Sequence, residues 1–340
     1  MDEALRPVRK GVLPASGLFF LAPLIAEFLL GDLPIKMLPV VLVLAPMYGG
    51  GALLIRELVR RAGRGWPSIV VLALAYGIVE EAYTTQSLFN PNYLKLNMHL
   101  LDHAYIPALG IGAWWTIFVL NLHTAWSIST SIALVEATVP DRASTPWLGR
   151  IGLAATALLF ALGIVVSTRY QLKQDSFVAS HAQLLTAGVI IVALIILAFL
   201  LPRVSVAKSG GAVPNPWIMG GLALAAGSAI LVAPVGSAIL LRSKNWGWAG
   251  FALILAIDLC MVVLVLFWSR RSGWDMRHKL ALASGAALAY GWHAFIGHPV
   301  VGGGVAMVRI GNGIFLLGAI ALIAFAAKRT LASAKETVSA

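Results

Sequence analysis

Cysteine and charge are what this sequence has least of: one cysteine, Cys260, in 340 residues, and only 11% charged side chains. A single thiol excludes a disulfide framework and a cysteine-based zinc finger, and Cys260, set inside an apolar run, reads as a small apolar filler. Soluble domains carry about a quarter charged residues, so the scarcity argues against a soluble enzyme and a disordered tail alike. Acidic residues are the rarer sign, 14 Asp and Glu against 25 Lys and Arg. The sequence also has no Gly-x-Gly-x-x-Gly run, no Gly-Lys-Ser/Thr phosphate loop, no Gly-x-Ser-x-Gly elbow and no His-Glu-x-x-His pair. Those absences set aside nucleotide hydrolysis, a soluble-type serine hydrolase and a thermolysin-type zinc site. No low-complexity tract or short tandem repeat occurs.

What is present is apolar sequence, 59% of the chain, at a mean hydropathy of +0.87. It comes in runs of the length needed to cross a bilayer: residues 13–31, 38–58, 67–89, 112–137, 148–168, 181–202, 216–241, 248–269, 280–297 and 310–328. Only helix, or a closed barrel, satisfies backbone polar groups in lipid. The fold class expected is therefore an all-α polytopic membrane helix bundle of about ten transmembrane helices. With the N-terminus inside, Lys36, Lys95, Arg169, Lys173, Arg242, Lys244 and Arg309 fall on the outer side and the other eighteen of the 25 basic residues on the inner. That asymmetry follows the positive-inside rule and predicts both termini in the cytoplasm.

The net charge of +11 is thus explained by topology, and the expected partner is the lipid bilayer, with no nucleic acid. The first span follows Arg6, Arg9 and Lys10 without a small-x-small cleavage site, as a retained signal-anchor does. With no large soluble domain in the sequence, the expected location is a prokaryotic plasma membrane. Residues 1–340 read as one integral membrane domain, with a Ser/Gly/Pro-rich candidate linker at 203–216. Dividing the spans five and five would invert the second half and match Glu80/Glu81 with Asp258 and His123 with His293. Pro23, Pro46 with Gly49 to Gly51, and Pro234 with Gly236 interrupt spans, and close helix packing explains them best.

Ionisable residues inside a membrane span cost several kcal/mol, roughly, and mark candidate function. Here they are Glu27, Glu80, Glu81, His123, Asp258 and His293, whereas Arg56, Glu57 and Glu136 sit near inner ends where they can pair. At about 1.5 Å per residue all six fall in the middle-to-outer part of a core about 30 Å thick, so one buried polar layer can hold them. Gln86 and Ser127 are further buried polar candidates; Ser127 and Thr130 share a stripe with His123. Adjacent residues on an α-helix are about 100° apart, so Glu80 would share a face with Thr84 and Glu81 with Thr85. One carboxylate would then face a reaction centre while the other orients a partner. Two carboxylates and two histidines can also bind a divalent metal, although none is required. His99, Asp102 and His103 read as a solvated outer loop.

Adjacent glutamates on the third span, followed by His123 and His293 on later spans, resemble the CAAX-protease and bacteriocin-processing family of intramembrane glutamate-dependent proteases. The stretches concerned are Glu80 to Thr85, Val119 to His123 and His293 to Gly297, with Thr85, Val119 and Gly297 where the family motifs have Arg, Phe and Asn or Asp. The resemblance implies that a glutamate activates water while His123 and His293 support the oxyanion. Glu80, Glu81, His123 and His293 are accordingly the candidate catalytic residues of a membrane hydrolase. An ion-coupled transporter using Asp258 and the broken helices, and a non-catalytic membrane assembly component, are the alternatives. The substrate class, whether peptide, lipid or small molecule, is not legible.

Overall fold

The computed structural model describes residues 6–96, 98–203, 210–241, 246–297, 302 and 304–339, without the side chains of 6–10, 234–241 and 335–339. Lys208, Arg242, Lys244, His298 and much of the 203–216 linker lie outside the described residues, as do the side chains at Pro234 and Gly236.

Each apolar run falls on a helical rod. α1 (Arg6–Pro23) continues into a π-helical segment, Leu24–Leu29. A 3-10 turn, Ile35–Val40, leads into α2 (Val41–Arg61), and α3 (Trp66–Ile78) continues into a second π segment, Val79–Thr84. After the outer stretch comes one rod in three parts: α4 (Ala113–Asn121), a π segment Leu122–Thr130, and α5 (Ser131–Thr138). α6 (Arg150–Gln174), α7 (His181–Leu200), α8 (Pro216–Leu241), α9 (Trp246–Ser269), α10 (Met276–His293) and α11 (Val305–Ser339) follow. The strands among the described residues are the two-residue β1 (Tyr105–Ile106) and β2 (Ile111–Gly112), antiparallel with Tyr105 opposite Gly112.

Eight of these rods are long and apolar enough to cross a membrane. The other two are the helix carrying Glu80 and Glu81 and α10, whose first turn holds Arg277, His278 and Lys279. Both are screened by neighbours, α10 lying against α8, α11 and α5, and α3 against α7 and the π segment that carries His123. Half or more of the first, second and Ala113–Thr138 spans is buried, at 50%, 56% and 56%, against 11% for α6, α7 and α9. The first four spans, the front of the bundle, therefore form the interior, and the uniformly apolar α6, α7 and α9 present lipid-facing surfaces. Cys260 lies exposed on α9. It faces outward and fills no gap in the core, because helix rotation, which the sequence did not show, turns it to lipid.

Close approach explains the glycines of α2. A Cβ on Gly49 would collide with the Phe19 carbonyl, and one on Gly51 would stand 2.5 Å from the Tyr76 ring. Trp126 stacks on Tyr290 of α10 at 4.7 Å and donates its indole N–H to the Ala286 carbonyl at 2.8 Å. This contact joins the front spans to the back ones.

The Arg-rich end is closed by a buried ion network. Arg56 pairs with Glu57 at 2.6 Å and Glu136 at 3.1 Å, and Glu136 also takes Arg60 at 2.7 Å. Arg56 Nη2 donates to the carbonyls of Arg142, Ala143 and Thr145, while Glu57 accepts the Trp147 and Leu148 amides. Arg56 also lies 3.3 Å over the Trp147 ring. The expected pairing of Arg56, Glu57 and Glu136 is present and clamps the 139–149 turn. The π segments among the described residues lie on the first, third and fourth spans, whereas Asp258 and His293 lie on regular α-helix.

Candidate functional site

Glu27, Glu80, Glu81, His123 and Ser127 all lie on the three π segments. A π turn closes i→i+5 hydrogen bonds, is rare in general and is often found at functional sites. The Thr85 amide donates to the Glu80 carbonyl at 2.8 Å, and the Asp32 amide to that of Glu27 at 3.0 Å. Widening the turn changes the angular spacing assumed for a regular helix. Glu81 shares the face of Thr85 as expected, yet both carboxylates reach one imidazole.

His123 Nε2 lies 2.7 Å from Glu81 Oε1, and His123 Nδ1 lies 3.1 Å from Glu80 Oε2. The first contact is a hydrogen bond. The second is near enough but out of line, so Nδ1 and Glu80 Oε2 are both buried without a hydrogen-bond partner. All three side chains are nearly sealed, with Glu80, Glu81 and His123 at 2%, 5% and 7% exposure. Gly77 permits the approach, since a Cβ there would stand 3.2 Å from the His123 Cβ.

Glu81 is held from its other side. Its Oε2 accepts from Thr85 Oγ1 at 2.9 Å and from Ser87 Oγ, and Ser87 Oγ accepts the Trp115 indole N–H at 3.0 Å. Tyr48 of α2 lies over His123 with ring centres 6.2 Å apart and donates to Glu27 Oε1 at 2.5 Å. Glu27 thereby joins the layer through Tyr48. The Tyr76 hydroxyl and Thr84 Oγ1 are also buried without partners.

Outside the spans, Asp32 follows the turn at Gly31, where φ is +91° and the Ala294 methyl comes within 2.9 Å of the position of a Cβ. Burial, then the charge of Glu27, pushes the Asp32 carboxyl up to about 8. Tyr93 of the outer stretch is pushed above the ordinary phenol range by burial, then by the charges of Glu81, Glu27, Glu80 and Asp32. Tyr93 thus lies within range of the acidic layer's charge.

The single polar layer expected from depth is only partly assembled. Asp258 pairs instead with Asn121 Nδ2 at 2.7 Å. His293 stands at the end of α10 beside Trp292, its Nδ1 without a partner, outside the Glu80–Glu81–His123 group. Gln86, at φ +56°, ends the π segment and accepts the Ala179 amide at 2.7 Å, while Ser127 donates to the Leu122 carbonyl at 3.2 Å. In the outer loop His99 and Asp102 form an exposed pair at 2.9 Å, and His103 packs on Trp246 at 4.0 Å, as a solvated loop with one aromatic contact does.

Sequence reasoning missed Tyr48, Ser87, Trp115 and Asp32. Tyr48, a polar-tipped aromatic in mid-span directly before three glycines, carried a usable signal; Ser87 and Trp115 meet Glu81 only through tertiary packing.

A family profile matches residues 18–332 of the chain. The chain belongs to that family, an uncharacterized membrane protein family. No curated protein and no solved structure matches it. Family membership supports the multi-pass membrane reading and does not extend to the CAAX-protease and bacteriocin-processing family. For this member of the uncharacterized membrane protein family, the resemblance through Glu80, Glu81, His123 and His293 has no support from the family match.

Proposed function

We propose that the protein is a membrane-embedded hydrolase whose reaction centre is Glu80, Glu81 and His123. The observation that carries the reading is one imidazole set between two buried glutamates on widened helical turns. The roles divide by their hydrogen bonds. Glu81, held by Thr85 and Ser87, orients His123; Glu80, with an oxygen lacking a partner, takes a proton from water; His123 stabilises the charge that develops. His293 has no part in this version of the site.

The substrate proposed is membrane-borne. Two residues after Glu81 on the same π segment, Tyr83 lines an open apolar groove of about 390 Å³ with Leu185, Gly188, Val189 and Val192. We place the chain in a prokaryotic plasma membrane with ten crossings, following its basic asymmetry.

The test is hydrolysis of membrane-inserted peptides and lipid esters by the purified full chain in proteoliposomes. Glu80→Gln is expected to reduce turnover at least about a hundredfold, in the range of a lost general base, while the chain stays folded and monodisperse. Turnover retained in both Glu80→Gln and Glu81→Gln, or no turnover of any substrate by the wild type, removes the reading.

A further inference from the structure

We infer that Glu80 and His123 form a binding site for one divalent transition-metal ion, of which zinc is the representative, with Glu81 as the residue that orients the histidine. The argument starts from a lone pair. Glu81 already accepts two hydroxyls at Oε2, and a neutral His123 facing its Oε1 at 2.7 Å donates Nε2–H there. That leaves the Nδ1 lone pair directed at a second carboxylate, with Glu80 Oε2 3.1 Å away. Two buried acceptors at that distance repel unless a cation lies between them, and the misalignment that leaves both without a hydrogen bond disfavours a proton there.

Distance fits a metal better. Two donors bound to one tetrahedral ion at about 2.0–2.1 Å are about 3.3 Å apart, close to the separation present. Single donor atoms from Glu80, Glu81 and His123 all lie within 4.8 Å of one another. The surroundings also match what metal-bound histidines require: the second ring nitrogen donates to a carboxylate that is itself hydrogen-bonded. Glu81 supplies that carboxylate, and Thr85, Ser87 and, behind Ser87, Trp115 fix it. The unpartnered Tyr76 hydroxyl is a further buried oxygen near this group, its ring 6.2 Å from that of His123. An imidazole with carboxylate oxygens selects transition ions over calcium or magnesium, which prefer all-oxygen shells.

The inference does not depend on hydrolysis; in the loaded site Glu80 and His123 hold the ion, which replaces their roles as base and charge stabiliser. The full chain, purified in detergent and stripped with chelator, is titrated with zinc by calorimetry and separately loaded with cobalt for its visible spectrum. One zinc per chain is expected, with a rise in thermal midpoint that chelator reverses, and a cobalt spectrum of a low-coordinate nitrogen–oxygen site. Glu80→Gln and His123→Ala should each weaken binding more than a hundredfold, and Glu81→Gln about 10- to 100-fold. His99→Ala with His103→Ala, in the outer loop, should leave it unchanged.

A folded wild-type chain that binds no zinc overturns the inference even if the variants fail to fold. So does zinc binding that survives in His123→Ala or is lost with the outer-loop histidines. Zinc binding without hydrolysis leaves this site standing and removes the proposed hydrolase; hydrolysis in a chain that binds no zinc does the reverse.

Discussion

His123 turns its Nε2 to Glu81 Oε1 at 2.7 Å across two adjacent spans, so a contact between residues 42 positions apart fixes the ring at the centre of the acidic layer. The partner carboxylate is itself held by Thr85 and Ser87. Precision at His123 therefore depends on Thr85 and Ser87, which act on the ring only through the Glu81 carboxylate.

Ser87→Ala should expose that dependence. Removing the hydroxyl leaves Glu81 short of one donor and the Trp115 indole N–H without its acceptor. A loss of about 1–3 kcal/mol is expected for buried groups left unpaired, measured by denaturant unfolding in detergent. A loss below about 0.5 kcal/mol would show that the Ser87 contact does not hold Glu81.

Arg56→Ala should be among the most destabilising single changes. It leaves Glu57 and Glu136 as buried carboxylates with fewer partners and frees three carbonyls of the 139–149 turn. Breaking such a network from one side costs about 3–5 kcal/mol. Thermal unfolding that matches the wild type would mean the network is dispensable.

Stability should fall as pH rises through the Asp32 window. Its carboxyl is raised from 3.8 unfolded to about 8 folded. Between those values the folded chain holds one more proton than the unfolded chain, so each step up in pH costs stability until the folded carboxyl ionises. Asp32→Asn should flatten the slope between pH 5 and 8, roughly the inner part of that interval. An unchanged slope in the variant would exclude Asp32 as its source.

Packing predicts a severe effect at Gly49. A methyl group there meets the Phe19 carbonyl, and overpacking of this kind costs about 1–3 kcal/mol. Gly49→Ala should lower the thermal midpoint, whereas Gly17→Ala, with open space around it, should not. Equal midpoints for the two variants would contradict the close approach of α1 and α2.

Topology has its own test. Reporter domains that work only in the cytoplasm should be active when fused at either end of the chain, as an even number of crossings with the basic clusters inside requires. Activity at one end alone would remove one crossing from the proposed ten.

The sequence by itself determined the membrane class, the position of every helical rod and the shortlist of buried ionisable residues. Run length and the cost of charge in lipid act through composition along the chain, so they are visible without a structure. It also placed Arg56, Glu57 and Glu136 near inner span ends, where they could snorkel or pair, and the structure pairs them. The tertiary structure alone decided which of the shortlisted groups meet. Depth along a span is readable from residue count, but the direction a side chain faces depends on helix rotation, and the π turns shift that rotation locally. That is why Glu80 and Glu81 converge on His123, why Tyr48 brings in Glu27, and why Asp258 and His293, at similar depth, lie elsewhere.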